Sequence, residues 1–272
     1  EVYRQPPSDH LRDTRHHPGR APAREHARWP HPHALGRCPA ADGRLYRVAM
    51  NVWTSYQLQD FIPFTAEVYF RLLERMGETF WPLHLLTMAL GAATLVLALK
   101  HRPRLACLLP APLWAFVAVA FFIQRYAELN WAGGYIGYAF IAQAVLLVVI
   151  ALTGWGTDNA PRATNPPVAI GIAITLFGLI IMPLMAPLSG GSWYQAEVFG
   201  IHADPSAVTT LGMVLIMLRG FSLWIAVIIP ALWLVVSGLT LQVLGLTGAA
   251  VLFAVLAIVL VGLVWKSIKA KR

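Results

Sequence analysis

The sequence predicts an all-α, polytopic integral membrane bundle, and three observations carry that expectation. Of the 272 residues, 57% are hydrophobic and only 12% charged, with a mean hydropathy of +0.60. A water-soluble domain usually carries about 25% charged residues. The apolar residues also fall into unbroken blocks of the length that crosses a bilayer core, about 20 residues for ~30 Å. Finally, the charged residues collect at the edges of those blocks. Together these exclude a soluble enzyme, a disulfide-stapled secreted domain and a nucleic-acid module, although the formal net charge is +8. Nothing in the chain points to nucleic acid; the expected surroundings are the lipid bilayer, with a homo-oligomer or a membrane partner protein left open.

The first 49 residues differ from the rest. They hold nine of the 21 Lys and Arg and six of the nine His, with no Met, Phe, Ile or Lys and no helical or strand period. Such a segment buries too little apolar surface to offset its ordering entropy. It also lacks the 7–15-residue apolar stretch of a signal peptide. Residues 1–49 are therefore expected to be a disordered or spurious upstream leader, with Met50 as the natural start.

Residues 50–79 read as a polar approach followed by an amphipathic interfacial helix. Thr65 is the expected N-cap, with Val68, Leu72, Met76 and Phe80 spaced every four residues and the charged Glu67, Arg71, Glu74 and Glu78 off that row. The bundle is expected over residues 80–265, with spans at Phe80–Leu99, Leu105–Ile123, Tyr135–Gly154, Pro167–Leu188 and Val243–Trp265. A basic tail, residues 266–272, follows.

The stretch Ala207–Leu241 is ambiguous between one span and two. Arg219-Gly220 is its only polar break. If that break is a turn, the chain has about seven spans; if not, six. Seven spans with the N-terminus outside and the C-terminus inside put Lys100, Arg102, Arg104, Arg162, Arg219 and the tail on the inner face, as the positive-inside rule requires. Six would leave Arg219 at mid-bilayer, which is costly.

On that topology the notable polar residues share the outer face. His84 lies a turn inside span one; Gln124, Arg125, Glu128 and Asn130 close span two; Glu197, His202 and Asp204 occupy the Ser189–Ser206 loop. The sharpest candidate for a substrate-binding site is an outer cavity of His84, Arg125, Glu128 and Glu197. Against it stands a plainer reading, in which Arg125 and Glu128, three residues apart on a helix, pair with each other. The aromatic residues Trp131, Tyr135, Trp193 and Tyr194 fit an interfacial belt.

Other chemistries find no support. No three or four ligands have metal-binding spacing, no Walker-type or dinucleotide-type loop is present, and Ser189-Gly190-Gly191-Ser192 has no base beside it. The lysines all lie at span edges, so a retinal Schiff base is excluded. No cofactor, metal or catalytic residue is expected. Gln143, Ser237 and Thr240 are the central polar groups, read as helix-to-helix hydrogen-bonding residues. Pro110, Pro112, Pro183, Pro187 and Pro230 fall inside spans, where they either kink helices or break them to line a solute path.

Several motifs recur in order: Trp81-Pro82-Leu83-His84, Glu128-Leu129-Asn130-Trp131, Gln195-Ala196-Glu197-Val198-Phe199-Gly200 with Asp204-Pro205, and Ile229-Pro230-Ala231-Leu232-Trp233 with Ser237-Gly238. In these the chain resembles an uncharacterised bacterial polytopic membrane-protein family, a domain of unknown function sometimes labelled permease, over about residues 50–242. The resemblance implies a bacterial inner-membrane location and no assigned activity. Two functions are expected from these readings. One is a small-solute or ion transporter of permease type; the alternative is a non-transporting accessory or sensor subunit of the bacterial envelope.

Overall fold

The computed structural model describes residues 58–158, 161 and 164–269, all within the compact unit Tyr56–Arg272. The expected leader, the start at Met50 and the tail beyond Lys269 lie outside the described residues. Among these residues the regular structure is helical, with two isolated bridges and no strand.

The chain enters through α1, Ala66–Thr79. Thr65 caps it, its side-chain oxygen accepting the Val68 N–H at 3.4 Å, and Glu67 pairs with Arg71 one turn on at 2.6 Å. The buried face is Tyr69, Leu72, Leu73, Met76 and Gly77. The row expected from Val68 to Phe80 is thus rotated: Leu72 and Met76 point inward, but Val68 is exposed. Tyr69 and Leu73 take the inward positions because the Trp193–Gln195 turn packs on that side, against Gly77.

Among the described residues, six helices are long and apolar enough to cross a membrane: α2 (Trp81–Leu99), α3 (Pro103–Leu129), α4 (Gly133–Thr153), α5 (Pro166–Leu188), α7 (Phe221–Val243) and α8 (Gly248–Lys269, apolar over Gly248–Ile268). The chain is a polytopic membrane protein by this measure. Between α5 and α7 lies a shorter apolar helix, α6 (Ala203–Met217). The ambiguous stretch is therefore two helices, and the break falls where the polar residues sit. Gly220 closes the turn at a φ of 66°, which a side chain would strain.

Two boundaries and the effect of the prolines depart from expectation. The second span runs past Ile123 to Leu129, so Arg125 and Glu128 are helical. The last span starts at Gly248, after a turn at Leu244–Thr247 in which Gly245 has a φ of 72°. The prolines do not open the spans: α3 and α5 continue through theirs, and Pro230 lies within α7. In α5 the turn before Pro183 widens to π-type geometry at Phe177–Ile181. Proline removes a donor and crowds the carbonyl four residues back, and a π turn absorbs both.

α6 is the centre of the molecule. All fifteen of its residues are buried. It runs antiparallel to α5 with backbones in contact: a Cβ on Gly171 would lie 2.7 Å from the Gly212 carbonyl oxygen, and one on Gly212 2.6 Å from that of Gly171. Small residues let helices approach this closely where lipid supplies no hydrophobic drive between them. The Trp114 indole N–H donates to the Thr210 hydroxyl at 2.9 Å, anchoring α3 to α6. Gln143 of α4 donates to the Ala226 carbonyl of α7 at 3.1 Å, the interhelical bond expected of it.

Candidate functional site

The first turn of α6 places a carboxylate inside the bundle. Asp204 is buried, and its two oxygens accept the Trp233 indole N–H and the Ser237 hydroxyl, each at 2.7 Å. Trp233 and Ser237 are four residues apart on α7, so one helix face presents both donors. A helix N-terminus also favours negative charge. Pro205 is tolerated at this position because a first-turn residue has no intrahelical acceptor for an N–H. Thr240, one turn beyond Ser237, donates to the Val236 carbonyl of its own helix instead.

Asp204 and Glu197 line one cavity of about 220 Å³, together with Tyr69, Leu73, Gln195 and Thr247. Burial pushes the Glu197 carboxyl well above the usual carboxylate range, and the neighbouring Asp204 charge adds to the effect. Burial likewise raises the Tyr69 phenol, with Glu197 and Asp204 contributing. Two carboxyl groups therefore line the cavity, and a cation entering it would favour their ionised forms.

Behind it stand two histidines. His202, the residue before α6, accepts the Val198 N–H at Nδ1 (3.1 Å), while Nε2 lies 3.4 Å from the Leu73 carbonyl oxygen. That pattern requires the neutral tautomer with hydrogen on Nε2. Burial, with smaller effects around it, pushes the His202 pKa down to about 4. Its ring centroid is 6.2 Å from that of His84, whose buried Nε2 has no hydrogen-bond partner among the described residues. Ser206 closes the loop by donating to the His202 carbonyl at 2.6 Å and accepting the Gly200 N–H at 2.8 Å.

Of the four residues expected in an outer cavity, Glu197 lines this one and His84 lies behind it against His202. Arg125 is elsewhere occupied: its guanidinium donates to the Ala120 carbonyl at 2.6 Å and sits 5.2 Å above the Phe80 ring. Glu128 is exposed, and no ion pair joins it to Arg125 among the described residues. The π-type geometry at Val117–Tyr126 turns the Arg125 side chain back along its own helix. Asp204, Trp233, Ser237 and His202 were not singled out by sequence as a site. The available signals were the Asp204-Pro205 pair, which can open a helix, and the four-residue spacing of Trp233 and Ser237.

No group of three or more His, Cys, Asp or Glu is arranged to hold a metal ion among the described residues. Cys107 is a buried free thiol with its sulfur 3.8 Å from that of Met217.

An all-helical bundle of apolar spans wrapped on a buried helix, with an acidic cavity at one end, defines the class: a polytopic membrane protein. The profile of a family of unknown function, DUF6064, matches residues 66–272, and the chain belongs to that family. The match starts at residue 66 rather than 50 and reaches through α8, beyond residue 242, where the resemblance was expected to end. No curated protein and no solved structure matches the chain.

Proposed function

We propose that this protein is a small-solute or ion transporter of the bacterial inner membrane that accepts a cation or protonated solute at the Glu197–Asp204 cavity. The observation that carries the reading is a pair of carboxyl groups in a cavity at one end of a fully buried helix. Ionisable residues buried in membrane helices, as Asp204 is in the first turn of α6, are costly and can mark substrate or ion pathways. A second cavity, of about 800 Å³, lies at the opposite end of α6.

The topology that supports this reading has seven crossings, N-out and C-in, with α6 as the short one. Its fifteen residues extend about 22 Å, less than the ~30 Å core. Asp204 at its start meets the far half of α7, whereas its last turn meets residues Gly156–Asp158 and Lys266. The end holding Lys100, Arg102, Arg104, Arg219 and Lys266 then faces inward. In this reading Glu197 binds the solute and His84 and His202 stand beside the cavity, while Arg125 and Glu128 take no part in it.

The test uses proteoliposomes loaded against sodium, potassium, methylammonium and proton gradients, with flux followed for the parent and for Glu197→Gln. Uptake of at least one of these that falls about tenfold or more in Glu197→Gln, with thermal stability retained, supports transport. Absence of flux for all four returns the protein to the alternative, a non-transporting accessory or sensor subunit, which solid packing around α6 would suit.

A further inference from the structure

The larger cavity lies where α4 ends, α5 and α7 begin, and α8 ends. Its volume is about 800 Å³, in the range of sites that enclose a sizeable ligand. Among the described residues, two cationic side chains line it, Arg219 and Lys266, together with one acid, Asp158, 4.0 Å from Lys266. Lys266 also donates to the Leu215 carbonyl at 2.6 Å, which leaves it fixed in place. Arg219 is exposed, and its backbone is held on both sides: its N–H donates to the Gly156 carbonyl at 2.8 Å and its C=O accepts the Ser222 hydroxyl at 3.0 Å.

The walls carry a second kind of information. Trp155 and Trp224 stand at the cavity with large exposed apolar surface, and Phe221 beside them is 69% exposed. Amphipathic aromatic rings at span ends sit at headgroup level. Two long helices, α5 and α7, also begin at this cavity, and neither has a side-chain cap on its first turn. α7 brings the positive end of its helix dipole to the two cations, whereas α5 opens on Pro166-Pro167, which carry no N–H, and its next two N–H groups donate to the Asn165 carbonyl.

We propose that this cavity binds a phosphate group, with Arg219 and Lys266 as the anion-holding pair and Trp155, Trp224 and Phe221 packing the apolar remainder of the ligand. A phosphodiester lipid headgroup and a free phosphate compound share that chemistry. Arg219 supplies a forked donor suited to phosphate, and Lys266 a point charge.

The experiment measures thermal unfolding of the purified full chain in detergent while dioleoyl-phosphatidylglycerol, dioleoyl-phosphatidylcholine or inorganic phosphate is titrated in. Saturable stabilisation by phosphatidylglycerol but not phosphatidylcholine, weakened roughly five-fold in Arg219→Gln and partly restored in Arg219→Lys, which keeps the charge without the fork, identifies a lipid headgroup. The same pattern with inorganic phosphate identifies a free phosphate ligand. Equal stabilisation by the two lipids with none by phosphate overturns the proposal, as does an unchanged affinity in a folded Arg219→Gln. If Arg219→Gln fails to fold, Arg219→Lys and Lys266→Arg decide it: both must keep the preference for the anionic ligand, and its absence overturns the site.

Discussion

Asp204 and Trp233 are joined by a 2.7 Å hydrogen bond from the indole N–H to a buried carboxylate, and this bond locks the first turn of α6 to the middle of α7. Removing the carboxylate leaves two buried donors, Trp233 and Ser237, without an acceptor. Each unsatisfied group costs about 1–3 kcal/mol. Asp204→Ala is therefore expected to lower thermal stability strongly in detergent, and Ser237→Ala much less. A double-mutant cycle between the two checks the coupling; additive losses would show that the hydroxyl does not hold the carboxylate.

Gly212 tests the close approach of α5 and α6. A Cβ there would meet the Gly171 carbonyl oxygen and the Thr175 N at 2.6 Å, both backbone atoms that cannot swing aside. Gly212→Ala should cost about 1–3 kcal/mol by overpacking, although alanine is the better helix former. Differential scanning fluorimetry of the two proteins reads this, and an unchanged or raised Tm would refute the contact.

Two groups outside the spans set opposite pH responses. The His202 pKa is pushed from 6.5 down to about 4 in the fold. Its contribution to stability is present above 6.5 and is lost as pH falls from there toward 4. Glu197 is raised above the ordinary 4.5 by burial, so its contribution is present below 4.5 and fades as pH rises through the higher folded value. Unfolding scans from pH 4 to 8 should show a smaller acid-side loss in His202→Gln and a smaller loss above pH 4.5 in Glu197→Gln. Identical profiles for parent and variants would contradict the burial of these groups.

Arg125 and Glu128 should behave as independent residues. Glu128→Gln alters an exposed side chain and is expected within about 0.5 kcal/mol of the parent. Arg125→Gln removes a charged donor to the Ala120 carbonyl and the cation over Phe80, worth roughly 1–2 kcal/mol together. If Glu128→Gln destabilises as much as Arg125→Gln, the two are coupled after all. Thermal stability of the single and double variants decides it.

A reporter active only in the cytoplasm tests the crossings. Fused after Arg272 it should be active, and inserted at Gly190-Gly191 it should be silent. Activity at both would remove the seven-crossing arrangement.

Most of the spans were legible because their signal is local. About twenty apolar residues bounded by charges, prolines or glycines must cross or be buried whatever surrounds them. Thr65, the turn at Arg219-Gly220 and the bond from Gln143 to another helix could be read in the same way. What the chain could not declare was partnership across long sequence separations. Arg125 looks matched to Glu128 at helical spacing, yet the π-type segment of α3 sends it to Ala120 and Phe80. Asp204 looks like a loop acid, and it becomes a buried anchor only because α7 brings Trp233 and Ser237 to it. In the same way Glu197 is an ordinary loop residue until Asp204 shares its cavity, and Arg219 a turn charge until Lys266 arrives from the end of α8. Burial is encoded in composition along the chain. The choice of polar partner is decided by helix packing, because an unpaired polar group costs too much in the low-dielectric interior to be left where its own sequence put it.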